Sequence, residues 1–93
     1  MYVVVRQYEG AAALADGMAE RTDDIKELLT GVEGFVAYHA ARDGDTVTTV
    51  SICKDRAGTE ETTRRAAAWV QENLPGTTSG PPRIRTGDVF LSF

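Results

Sequence analysis

The sequence predicts a single α+β domain, residues 1–93, with one antiparallel sheet covered on one face by two helices. Three observations carry that prediction. Tyr2–Tyr8 and Thr46–Cys53 are dense in β-branched and aromatic residues, the composition of strands. Two other stretches, one from Ala11 and one from Gly58, space their apolar residues at helical intervals. Between two strand-like runs stands Asp43-Gly44, a dipeptide suited to a tight hairpin turn.

Taken in order, the first strand, Tyr2–Tyr8, ends at Glu9-Gly10. Beyond Ala11 the period lengthens. Leu14, Met18, Ile25, Leu28 and Leu29 fall on one side of a helix whose other positions are polar, and Gly31 is placed to stop it. Gly17 lies inside this helix, where it costs about 1 kcal/mol relative to alanine unless close packing requires it. Gly34–Tyr38 and Thr46–Cys53 then form the hairpin. With Asp43 and Gly44 as loop residues, Ala40 faces Val47, His39 faces Thr48, Tyr38 faces Thr49, Ala37 faces Val50 and Phe35 faces Ile52. Directly opposed residues share a face of the sheet. The more apolar set, Phe35, Ala37, Val50 and Ile52 with Val3, Val5 and His39, is assigned to the helix-covered side. Arg6, Tyr8, Tyr38, Thr49, Ser51 and Cys53 then belong to the open side.

The second helix runs to about Leu74, with Thr59 as its N-cap and Ala66, Ala67, Val70 and Leu74 as its buried stripe; Pro75-Gly76 stops it. After the polar connector TTSGPP, a last strand begins at Arg83, is interrupted by Gly87 and ends at Phe93. Strand, helix, strand, strand, helix, strand is the order of a ferredoxin-like βαββαβ sheet. An amphipathic open face on a domain this small calls for a second copy, so a homodimer is expected.

Composition narrows the partners. Ten Lys+Arg against fourteen Asp+Glu give a net charge of −4, which repels nucleic acid and acidic membrane unless basic residues are segregated. Arg64 and Arg65 each have an acidic residue one turn earlier, Glu60 and Glu61, so they read as a solvated helix face. No nucleic-acid or membrane partner is expected. One cysteine makes no disulfide within the chain and fits a reducing compartment. The run MYVVV, broken at Arg6, is too short for a signal-peptide core or a span; the expectation is a cytoplasmic protein. A single His and a single Cys assemble no familiar zinc site, and neither a nucleophile elbow nor a phosphate-cradling glycine motif is present.

The runs Tyr2-Val3-Val4-Val5 and Gly34-Phe35-Val36-Ala37-Tyr38, with Val50 to Asp55 leading into a helix that carries Ala68-Trp69-Val70, resemble the dimeric α+β barrel superfamily. Within it they resemble small antibiotic biosynthesis monooxygenase-like proteins most. The resemblance spans nearly the whole chain and implies two ferredoxin-like subunits packed through their open sheet faces, with ligands between sheet and helices. It also implies relatives that are cofactor-free oxygenases of polycyclic aromatic compounds, haem-degrading enzymes, or proteins without known activity. The haem-degrading pattern wants an Asn in the first strand and a His after the Trp of the second helix. Gln7 stands in the first strand here and no His follows Trp69, so haem is disfavoured and no cofactor or metal is expected.

Arg6, Tyr8, Tyr38 and Trp69 are the candidate substrate-binding residues. A guanidinium, two phenols and an indole suit a flat aromatic compound that carries oxygens. His39 reads as a structural or rim residue, and Cys53 as a buried, inert thiol. Two functions stay open: a metal- and haem-free, monooxygenase-like protein acting on or binding such a compound, and a non-catalytic structural or regulatory homodimer of the same fold.

Overall fold

Alternation along two strands organises the sheet. In β1 (Tyr2–Tyr8) the buried residues are Val4, Arg6 and Tyr8, and in β3 (Thr46–Cys53) they are Val47, Thr49, Ser51 and Cys53. The computed structural model describes all 93 residues. β1 is followed by α1 (Ala12–Glu20) and α2 (Thr22–Thr30); β2 (Phe35–Asp43) and β3 form the hairpin; α3 (Arg56–Asn73) and β4 (Arg83–Asp88) complete the chain. The four strands lie in the order β2-β3-β1-β4, every neighbouring pair antiparallel. That is the expected ferredoxin-like sheet.

The two faces are reversed from the assignment by apolar content. The helices cover the side bearing Val4, Arg6, Tyr8, Thr49, Ser51 and Cys53; Val3, Val5, Ala37, His39, Val50 and Ile52 point to the open side. Chain junctions, and not the hydrophobicity of either face, decide this. Gly10, at φ 57°, turns β1 into α1. The Ala11 amide then donates to the Asp45 carbonyl at 2.7 Å, fastening the start of α1 to the hairpin tip. At the other junction Asp55, not Thr59, caps α3, its carboxylate accepting from the Gly58 amide at 3.0 Å. Gly58 lies so close to the sheet that a Cβ there would stand 2.8 Å from Cβ of Cys53. Thr59 is buried one turn on, its hydroxyl donating to the Arg56 carbonyl.

Several finer expectations change. The hairpin loop is Gly44-Asp45, with Asp43 opposite Thr46 and Tyr38 opposite Ser51. Gly44 alone takes positive φ, 59°, as in a turn with glycine at its first central position. A bulge between Phe35 and Ala37 sets Phe35 opposite Cys53 instead of Ile52 and so keeps it on the helix-covered side, as expected, whereas His39 faces Val50, exposed on the open side. The first helix breaks at Arg21 (φ −124°, ψ 35°), where its amide turns back to the Met18 carbonyl and its side chain reaches Asn73 at 2.9 Å. Gly17 is there for packing: a Cβ would come within 2.6 Å of Leu74.

In α3, Ala67 is exposed and the inward line is Gly58, Thr59, Thr62, Ala66, Trp69 and Val70. Glu61 holds both Arg64 and Arg65, and Arg65 also donates to the Leu28 carbonyl at the end of α2, tying α2 to α3. Gly87 stands within the β1–β4 ladder, opposite Val3. The strand ends at Asp88, so Phe90, Leu91 and Phe93 are exposed outside the sheet. The central packing is Tyr8, Ala11, Leu14 and Val47 with Ala15, Met18, Val70 and Leu74 around them.

Replacing Gly58 by alanine improves helix propensity by about 1 kcal/mol but drives a methyl into the Cys53 backbone–side-chain junction. Overpacking of this kind costs about 1–3 kcal/mol. The expected outcome is net destabilisation, read as a lower urea midpoint with an unchanged m-value.

Candidate functional site

Between the sheet and the helices lie two adjoining spaces that share part of their walls. The outer one, about 600 Å3, is a cleft between α1–α2 and the β2–β3 hairpin, walled by Met18, Ile25, Leu29, Phe35, Tyr38 and Val47 among others. Lys26, Thr22 and Thr30 stand on one lip, and Arg42, paired with Asp16 at 2.8 Å, on the other. Its volume is that of a small-molecule site. The inner space holds about 20 Å3 and is lined by Arg6, Tyr8, Tyr38, Thr49 and Trp69, with apolar side chains of all three helices. Met18, Ile25, Leu29 and Tyr38 belong to both walls, so Tyr38 stands where the two spaces meet.

All four candidate residues thus meet at one place. Arg6, Tyr8 and Tyr38 were expected on the open face; they lie under the helices because the covered face is the reverse of the expected one. Trp69, half-buried, reaches the same chamber from α3. Thr49 and Ser51 had been grouped with Arg6 by alternation, and the ladder sets Thr49 directly opposite it. Met18, Ile25, Leu29 and Phe35 were not singled out as site residues. The first three read as ordinary helix core, and Phe35 enters the cleft only because of the bulge.

Arg6 is 1% exposed. Its Nη2 donates to the Ser51 hydroxyl at 2.6 Å, while Nε, Nη1 and the Thr49 hydroxyl find no partner in the chain. Burial lowers its pKa below the ordinary arginine value, an effect partly offset by the nearby Tyr8 and Tyr38 phenols and the Cys53 thiol. Burial raises both phenols above 10.0, and Arg6 pulls each back. The Thr49 hydroxyl also sits close enough to Tyr38 to oppose that rise, without completing a hydrogen bond. Cys53, fully buried on the same face, is pushed above 9.0 by burial first and Asp55 second. That is the setting of an unreactive thiol. No three His, Cys, Asp or Glu side chains gather where they could hold a metal ion, and no helix is long and apolar enough to cross a membrane.

No protein-family model matches the chain, and no curated protein matches it. Solved structures do. A protein of unknown function from Nitrosomonas europaea is 24% identical, with a TM-score of 0.77 over 99% of this chain and 91% of its own. A monooxygenase from Streptomyces coelicolor, solved in complex with nanaomycin D, is 18% identical, with a TM-score of 0.68 over 98% of this chain and 92% of its own. SnoaB, a cofactor-independent oxygenase from Streptomyces nogalater, is 11% identical, with a TM-score of 0.67 over 98% of this chain and 94% of its own. The chain has the antibiotic biosynthesis monooxygenase-like fold. Within that fold the inner chamber is polar at the strands and apolar at the helices.

Protonated phenols and a protonated thiol in that interior have a consequence at high pH. A group whose folded pKa lies above its unfolded value leaves stability intact below the unfolded value. Stability is lost as pH rises toward the folded one, because the unfolded chain releases the proton first. Tyr8 and Tyr38 place that loss above pH 10, and Cys53 above pH 9. Urea midpoints measured from pH 8 to about 11 should therefore fall, and fall less in a Tyr8→Phe, Tyr38→Phe double variant.

Proposed function

We propose that the outer cleft and inner chamber bind a flat, oxygenated aromatic molecule, as a small-molecule-binding, monooxygenase-like protein. One observation carries this reading: an apolar cleft of about 600 Å3 ends on a chamber where Arg6, Tyr8, Tyr38 and Trp69 converge. Rings pack against Tyr38, Phe35 and Met18, each aromatic pair adding about 0.5–1.5 kcal/mol beyond area burial. A ligand oxygen meets Arg6 past the wall shared with Tyr38, which asks of Tyr38 and Met18 no more than the rotamer changes common on binding. In an oxygenation of this type the substrate supplies the electrons. The protein excludes water, stacks the rings and stabilises developing negative charge on oxygen.

Trp69, the one tryptophan, reports on the chamber. Hydroxylated polycyclic quinones and phenols should change its fluorescence saturably, after correction for their own absorption, whereas sugars, nucleotides and aliphatic acids should not. Equal or absent responses across that panel would remove the aromatic-ligand reading.

A second reading, a non-catalytic homodimer, is favoured by the open sheet face. Val3, Val5, Ala37, Val50 and Ile52 share it, all only half-buried in the single chain. We expect this face to pair with a second copy, an arrangement compatible with either function; the fluorescence titration separates the two. Light scattering at micromolar concentration should give the mass of two chains, and Val50→Asp should give one. A wild-type mass of one chain would refute the pairing.

A further inference from the structure

The inner chamber has a feature that ring binding does not explain. A guanidinium is held 1% exposed with a neutral hydroxyl, Ser51, as its sole hydrogen-bond partner. Removing a charge from water is tolerated when a counter-charge accompanies it, and none is supplied within the fold. On the strands the ionisable groups facing Arg6 are Tyr8, Tyr38 and Cys53, uncharged at neutral pH and made still harder to ionise by burial. From the helices come Leu14, Met18, Leu28, Ala66 and Val70, together with the indole of Trp69, none of which carries charge. Directly opposite Arg6 across the ladder stands Thr49, whose hydroxyl is likewise buried and unpartnered.

We propose that Arg6 and Thr49 form a seat for one oxyanion, so that the cleft takes its aromatic ligand as a phenolate or enolate monoanion. This rests on the reading of the cleft given above and adds the ligand's charge state and anchoring atom. The chamber size sets the selection. A free volume of about 20 Å3 seats one water-sized atom. A single ring oxygen fills it with the ring left in the cleft, whereas a sulfate or phosphate would press its further charged oxygens, unpaired, against the apolar wall. A neutral phenol entering this seat breaks its O–H bond heterolytically. The electron pair stays on the oxygen facing Arg6, the proton leaves to solvent, and nothing is oxidised or reduced. Arg6 is then kept for the ligand and not for the fold.

The test uses 4-nitrophenol, whose phenolate is visible by absorbance. Titrated with pH in the presence of saturating protein, its ionisation should move down by about one pH unit or more, a preference of about tenfold for the anion. Arg6→Met should abolish the shift and melt no lower than the wild type, because it removes an unpaired buried charge at similar volume. Thr49→Val should diminish the shift with the fold intact. Azide should raise the wild-type melting temperature more than sulfate at matched ionic strength, and this difference should vanish in Arg6→Met.

Binding of 4-nitrophenol without a change in ionisation would overturn the oxyanion seat while leaving the aromatic cleft standing. A retained shift in Arg6→Met, or a lower melting temperature for that variant, would do the same. If 4-nitrophenol does not bind but azide stabilises only the wild type, the seat stands and the aromatic reading falls. If neither acts, both are wrong.

Discussion

A buried guanidinium without a carboxylate is the constraint around which the interior is arranged. Arg6 sits on β1, an inner strand of the four-strand sheet, where a branched aliphatic residue would pack most simply, yet the neighbours have adapted to it. Ser51 accepts from it, Thr49 faces it, and Tyr8 and Tyr38 bring phenols instead of phenyl rings. Those phenols are protonated at neutral pH and burial makes them harder to ionise, so they offer O–H groups and not counter-ions. A chain selected for stability alone has little reason to retain such a group, since hydrophobic replacements of buried charge are often neutral or stabilising. Local departures from the packing rules of this kind are expected where function resides.

The irregularities of the fold serve the space leading to that charge. The bulge at Phe35–Ala37 turns Phe35 toward the cleft and leaves Val36 exposed on the outside. The break at Arg21 separates α1 from α2, so that α2 lies over β2 and supplies Ile25, Lys26 and Leu29 to the cleft wall. An uninterrupted helix from Ala12 to Thr30 would run straight past the hairpin and leave that edge bare. Arg65 fixes the far end of α2 through the Leu28 carbonyl, and Arg21 fixes the break to Asn73. Both anchors come from α3, so the width of the cleft follows from where α3 sits. That position is set in turn by the close approach of Gly58 to Cys53.

Much of this was legible from residue order. The strand at Tyr2–Tyr8, the hairpin and the ferredoxin-like order follow from period and turn chemistry. So does the grouping of Arg6, Tyr8, Tyr38, Thr49 and Ser51, because a two-residue slip in the hairpin leaves the parity of side chains unchanged. What could not be read was which side the helices take. Apolar content pointed to Val3, Val5, Val50 and Ile52 as the core, and the covered side turned out to be the polar one. Helix placement depends on the Gly10 turn and the Asp55 cap, whose directions are three-dimensional facts. The break at Arg21 was equally hidden, since Leu14, Met18, Ile25 and Leu29 keep helical spacing across it. Asp55 as N-cap is legible in the sequence, since an aspartate preceding a helix is a strong cap, but Thr59 four residues on has the same chemistry and competes for the assignment.

The reversal of faces has an energetic logic. A sheet whose sheltered side holds a guanidinium, two phenols and two hydroxyls gains less from burial than an aliphatic one. The valines and isoleucine that would compensate point outward, where a single chain shields them only partly. Completing the burial of such a side chain is worth up to about 1.5–3 kcal/mol if it starts fully exposed, and a fraction of that for those already half-buried. Several of them on one face, doubled by symmetry in the proposed dimer, amount to a gain of the same order as the cost of one poorly paired interior charge. In that proposed dimer the outward apolar residues supply the burial that the inner face lacks. The inside is then free to carry polar groups that a purely aliphatic core would not hold.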